Sequence, residues 1–235
     1  MRRALPITVA RPCRNYTGFF APVRFLPNRS ECAAASISWE VILATRLKLL
    51  CCGATAASRT AAFPRRDEPL DEGGRRLAAG RTIGGPAPVL AFVAPDPAAR
   101  ETASLMHIGA ELEPLLADID HGDWTGRSLV ELQASDAAGL ARWLAEPASG
   151  APGGETLVAV AARIGPWLDR MATADTTVLA VTHPAVIRAA IAHALECPIE
   201  TTLNIDIAPL SETLLSFNRR WRLQGLIPTC GAPDL

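Results

Sequence analysis

Arg46-Leu47-Lys48-Leu49-Leu50-Cys51-Cys52-Gly53-Ala54-Thr55-Ala56-Ala57-Ser58-Arg59 is an apolar strand running straight into a turn of small residues. Far downstream, Val178-Leu179-Ala180-Val181-Thr182-His183-Pro184-Ala185-Val186-Ile187-Arg188 repeats the design. A buried strand delivers a polar side chain at its carboxyl end, and a helix follows. In open α/β sheets, ligands bind outside the carboxyl ends of the strands. Cys52 and His183 are therefore the first candidates for a site.

Outward from these two segments, strands and helices alternate. Val89–Val93 reads as a second apolar strand. A helix over Pro97–Met106 starts with proline where the missing N–H costs nothing. Ser128 with Glu131 three residues on forms a capping box for a helix running to Leu144. An amphipathic helix spans Gly154 to Met171, with a disturbance expected at Gly165-Pro166. Val178–Val181 is a buried strand, and Pro184–Leu195 a helix. Thr213–Phe217 and Trp221–Leu226 form a closing hairpin around Asn218. The alternation predicts a three-layer α/β/α sandwich with a mostly parallel sheet over residues 45–230.

Residues 1–44 read differently. They hold six arginines against Glu31 and Glu40, and Pro6, Pro12, Pro22 and Pro27 interrupt them. They are expected to be a disordered or spurious extension, with an organelle transit peptide as the alternative. Asn15 and Asn28 begin glycosylation sequons in a context that is not secretory.

The 235 residues carry a net charge of −1, which gives no basis for a nucleic-acid or membrane-surface partner. No apolar run is long enough to span a bilayer. The six cysteines show neither CxxC pairing nor metal-ligand spacing with the four histidines, so no metal site is expected. They read as reduced thiols of a cytoplasmic protein.

Six segments in order over residues 46–227 resemble the histidine phosphatase superfamily, the phosphoglycerate-mutase-like proteins. Cys51-Cys52-Gly53-Ala54-Thr55 fills the slot of that family's arginine-histidine-glycine strand end. Phe63-Pro64, Asp67 to Asp71 and Gly74 resemble the lead into its first helix. Ala94 to Ala103 resembles its segment with a proline, an arginine and a threonine-alanine pair. Asp118-Ile119-Asp120-His121-Gly122-Asp123-Trp124-Thr125-Gly126 resembles its acid-bearing loop. Gly153-Gly154-Glu155-Thr156 and Thr182-His183 complete the set.

The resemblance implies phosphomonoester hydrolysis through a phosphohistidine, with no cofactor. Phosphoryl transfer needs an in-line nucleophile, cations around the phosphoryl oxygens and an acid for the leaving alcohol. Carried over, the nucleophile position is Cys52, and the two arginine positions are Cys51 and Ala98. The acid is Asp118, with Asp120 as its near alternative, and the second histidine is His183. Gly53, Thr55, Arg59 and Glu155 are expected to face the phosphate. Arg59 is the strongest candidate for a compensating cation. Arg100 and Arg188 are expected to be surface arginines, and His107 and His193 surface histidines. His121 is a loop residue that could line the cleft, and Trp124 packs behind the acid loop. With nucleophile and both arginines replaced, the expectation is a phosphate-type pocket for a small phosphorylated molecule with catalysis reduced or lost. The alternatives are a non-catalytic phospho-ligand-binding or regulatory protein, an active phosphatase using Cys52, and a decaying gene product. Cysteine phosphatases place an arginine six residues after the thiol; Arg59 stands seven after Cys52.

Overall fold

The computed structural model describes residues 44–146 and 149–229. The extension at 1–44 and its sequons lie outside the described residues, but for residue 44 itself. Six strands form one sheet in the order β3-β2-β4-β1-β5-β6. β1 (Thr45–Cys51), β2 (Leu90–Val93), β3 (Glu111–Leu112) and β4 (Thr177–Thr182) run parallel. β5 (Glu212–Asn218) and β6 (Arg220–Ile227) are the antiparallel hairpin, turning through Arg219 at φ +65°. β4, buried almost throughout, and β1, buried but for Arg46 and Lys48, sit at the centre.

Seven helices flank the sheet: α1 (Ala56–Thr60), α2 (Glu72–Ala79), α3 (Pro97–Leu105), α4 (Leu129–Ser135), α5 (Ala137–Ala145), α6 (Leu157–Ala172) and α7 (Pro184–Leu195). α2 packs on α3 in one helical layer, and α6 on α7 in the other. The fully buried Trp167 of α6 meets Phe92 of β2 edge to face at 5.8 Å. Gly165 lies against the ring of His193, so a side chain there would push α7 away. Among the described residues, no helix is long and apolar enough to cross a membrane.

The capping box forms as expected: Ser128 Oγ accepts from Glu131 N at 3.2 Å, and Glu131 Oε2 accepts from Ser128 N at 2.8 Å. The single helix expected from it to Leu144 is instead two. Asp136 leaves helical geometry and accepts from Gly139 N at 3.0 Å, capping α5 anew. α6 begins at Thr156 rather than Gly154 and runs through Pro166.

Two features hold the loops around the sheet's carboxyl edge. Gly74 presses on the turn after β1, where a Cβ would come within 2.3 Å of the Ala54 carbonyl. Gly122, at φ +49°, lies so close to the Pro152–Gly154 backbone that a Cβ would meet the Pro152 oxygen at 2.3 Å. Asp123 N donates to Pro152 O at 2.9 Å, and Glu155 N to Asp120 O at 2.7 Å. The glycines of both motifs thus lock the acid-bearing loop onto the start of α6. Behind it, Phe63, Trp124 and Trp143 stack within 6.2 Å of one another as a second small core.

Glu212, 4 % exposed, accepts from Lys48 of β1 and from Arg81, each at 2.9 Å. Removing the carboxylate strands two partly buried cations. Glu212→Ala should lower unfolding free energy by about 3 kcal/mol in urea titrations. Arg65→Ala, which breaks an exposed pair with Asp67, should leave the midpoint where it is.

Candidate active site

The parallel register pairs Cys51 with Thr182. Cys52 N donates to Thr182 O at 2.8 Å, so the next residue of each strand emerges side by side. Cys52 Sγ lies 3.5 Å from His183 Nδ1, and both residues are about 5 % exposed. They form the floor of a cleft of about 540 Å³, walled by the loop after β2, the acid-bearing loop, α5 and the segment before β5.

Two carboxylates flank His183. Asp118 Oδ2 is 3.3 Å from Nδ1. Asp96 Oδ2 is 3.2 Å from Nε2, but off the line a hydrogen bond needs, so Nε2 has no hydrogen-bond partner. The same Asp96 oxygen accepts from Asp118 N at 3.0 Å and so ties the acid loop to the floor.

These contacts set the charges. Burial disfavours the imidazolium of His183, but the charges of Asp118, Cys52 and Asp96 outweigh it and hold its pKa well above 6.5. Burial pulls the Asp96 carboxyl up, while the adjacent His183 and the backbone N–H of Asp118 more than offset this and leave it below its ordinary value. A hydrogen bond with Cys51, together with burial, pushes the Cys52 thiol well above its usual range, and His183 only partly counteracts them. The floor therefore sets a buried thiol beside an imidazole flanked by two carboxylates.

The structure brings Cys52, Gly53, Thr55, Asp118, Glu155 and His183 to one cleft. Gly53 N donates to Thr102 Oγ1 at 3.0 Å, and Thr55 caps α1. Asp120 also lines the cleft but is bound to Arg66 and to Gly122 N. Glu155 is paired with Arg163 at 2.8 Å, and Arg163 bonds the carbonyls of Ala117 and Asp118. His121 lines the cleft edge-on to Phe63 at 4.9 Å, and burial lowers its pKa. Cys51 and Ala98, where the resemblance places arginines, also line it.

Arg59 is not brought there. It bonds Asp71, the N-cap of α2, and its side chain is 53 % exposed. Arg100 is exposed. Arg188, expected at the surface, instead lies half-buried on the cleft. Asp96 is the residue the sequence reading passed over. Between Pro95 and the first-turn Pro97 it reads as a helix cap, yet its side chain makes no cap bond and turns to His183. Among the described residues, no group of three or more His, Cys, Asp or Glu could hold a metal ion.

Residues 47–226 match the histidine phosphatase superfamily (branch 1). No curated protein matches the chain. Solved structures are similar in fold. A putative alpha-ribazole-5'-P phosphatase from Escherichia coli is 21 % identical with a TM-score of 0.71, covering 81 % of this chain and 99 % of that one. A mycobacterial glucosyl-3-phosphoglycerate phosphatase complexed with VO3 is 25 % identical with a TM-score of 0.68, over 79 % and 99 %. A mycobacterial hydrolase is 24 % identical with a TM-score of 0.69, over 80 % and 100 %.

The raised pKa of His183 has a stability consequence. Its contribution is present in full below the ordinary value of 6.5 and is lost as pH rises through the higher folded value. Asp96→Asn removes one of the flanking charges. NMR titration of the imidazole should show His183 deprotonating at lower pH in the variant, and thermal stability should begin its alkaline decline earlier. An unchanged titration would mean that Asp96 does not set the charge of His183.

Proposed function

The chain belongs to the histidine phosphatase superfamily, and we propose that within it this protein is a non-hydrolysing member whose cleft binds a small ligand. The observation that carries this reading is the floor of the cleft. At the nucleophile position stands the buried thiol of Cys52, whose ionisation Cys51 and burial oppose. Cys51 and Ala98 occupy the two arginine positions. The positive charge of His183 is already countered by Asp96 and Asp118. A phosphoryl group arriving there would meet two carboxylates that offset the charges of His183 and Arg188, whereas catalysis of its transfer depends on an excess of cations preorganised around its oxygens.

The cleft itself persists. Its size lies within the range of small-molecule sites, and Cys52, Asp96, Asp118 and His183 meet in it. The similar structures named for alpha-ribazole-5'-P and glucosyl-3-phosphoglycerate support a small-molecule ligand of phosphorylated type as the ancestral occupant. The free thiols Cys51, Cys52 and Cys197 fit a reducing, cytoplasmic setting.

One contact favours a second reading. The 3.5 Å approach of Cys52 Sγ to His183 Nδ1 is that of a thiol nucleophile and its partner. In that case a neutral His183 would take the thiol proton as Cys52 attacks phosphorus, the P–O bond to the alcohol would break with that proton passed on to the leaving oxygen, and water would then cleave the phosphocysteine. The raised pKa of the thiol and the missing arginines weigh against it.

Hydrolysis of p-nitrophenyl phosphate separates the two. Wild type should show no turnover above the uncatalysed rate. The Cys51→Arg/Cys52→His/Ala98→Arg triple variant should gain measurable turnover, since a missing nucleophile alone typically costs about 10⁴-fold or more. Wild-type turnover that disappears in Cys52→Ser would overturn the reading in favour of thiol catalysis.

A further inference from the structure

Arg188 stands on α7 one turn beyond His183, and its guanidinium is the least compensated charge of the cleft. Nη2 donates to Ile205 O at 3.1 Å, and Nε is enclosed with no partner. Among the described residues no carboxylate lies within ion-pair distance of it. The other two cleft arginines are both taken, Arg65 by Asp67 and Arg66 by Asp120. Burial lowers the pKa of Arg188, with Asp206 and Cys51 acting only through their charge to raise it. A half-buried cation without a contacting counter-ion is costly, and an anion arriving in the cleft would relieve it. Cys51, one of the two positions where the family resemblance calls for an arginine, is close enough to interact with this charge. Cys51 and Arg188 line the same cleft, so α7 supplies it with a cation where β1 does not.

The charge balance restricts which anion. His183 and Arg188 contribute two positive charges at the floor, and Asp96 and Asp118 two negative ones. A monoanion adds one negative charge to a balanced floor; a phosphate monoester dianion adds two, against carboxylates that repel it. The planar fork of a guanidinium matches a carboxylate. The rest of the cleft is mostly apolar, with Ile119, Trp143, Leu144, Leu157, Leu203 and Pro209 along its walls. We infer that the cleft binds an amphipathic monocarboxylate, its carboxylate held by Arg188 at the floor and its apolar body along those walls. This inference rests on the reading that the cleft binds rather than hydrolyses.

Titration calorimetry with a matched eight-carbon series tests it: octanoate, octyl phosphate, octylamine and octanol at slightly alkaline pH. Octanoate should bind tighter than the other three. Arg188→Gln, shown folded by circular dichroism, should weaken octanoate about tenfold or more while leaving octanol unchanged. Asp118→Asn removes one repelling charge and should narrow the gap between octyl phosphate and octanoate, which keeps a test in hand if Arg188→Gln fails to fold. Tighter binding of octyl phosphate, no binding of octanoate, unaltered octanoate binding in Arg188→Gln, or an unnarrowed gap in Asp118→Asn would each overturn the inference. Ester hydrolysis by wild type would instead sink the parent reading, whatever the titrations give.

Discussion

The in-register parallel pairing of β1 with β4 is the constraint on which the site depends. Once Cys51 faces Thr182 across the ladder, the residue following each strand is delivered to the same height and the same edge. The pair is central in the sheet, with β2 beyond β4 and β5 beyond β1, so it cannot slip without carrying its neighbours. A shift of one residue would exchange the faces of Leu47, Leu49 and Leu50, all within 1 % of full burial. The core that fixes register therefore also fixes the 3.5 Å contact of Cys52 with His183. The geometry survives whichever side chain stands at position 52, because backbone pairing supplies it.

What that side chain does is governed by its surroundings, in which positive and negative charges balance. A site for phosphoryl transfer concentrates positive charge where negative charge develops. Here the loop after β2 contributes Asp96, and the acid loop Asp118, to a floor whose cations are His183 and Arg188. The imidazolium is thereby committed to carboxylates of the protein rather than to oxygens of a ligand. Asp96 does double duty, since the oxygen near His183 also holds Asp118 N. Moving Asp96 would disturb both the charge of the histidine and the position of the acid.

Much of this was legible in the sequence, and the parts that were not have physical reasons. The buried strands, the Ser128–Glu131 box and the proline-started α7 follow from local rules about burial and orphan backbone groups, and they appear where those rules place them. The break at Asp136 escaped notice because an aspartate within a helical pattern can face solvent or cap a new helix. Only the geometry at Gly139 decides between the two. Arginine placement failed for a similar reason. Arg59 is nearest in sequence to the first motif, but the cap residue Asp71 captures it. Arg188 looks like a surface residue on helical spacing, but the 3-10 turn Ile199–Asn204 after α7 brings the Ile205 carbonyl to its guanidinium. Long charged side chains go where tertiary partners are, and sequence distance carries little of that information. Asp96 was hidden by its role as an apparent cap.

The same facts bear on how chemistry could be regained or lost in such a fold. Exchanging Cys52 for histidine would restore a nucleophile but leave it beside an imidazolium and two carboxylates. An imidazole there would face a floor with no spare positive charge to draw in a dianion. Arginines at 51 and 98 would add two positive charges to the cleft, the excess that a dianion needs. Nucleophile, cations and Asp96 therefore form one electrostatic unit, and the effects of changing them one at a time should not add. The cleft, in contrast, depends on none of them. Gly122 against Pro152, Gly74 against Ala54, and the Phe63–Trp124–Trp143 cluster hold its walls through backbone contact and aromatic packing. The walls and the charged floor therefore rest on separate interactions, and either can change while the other stands.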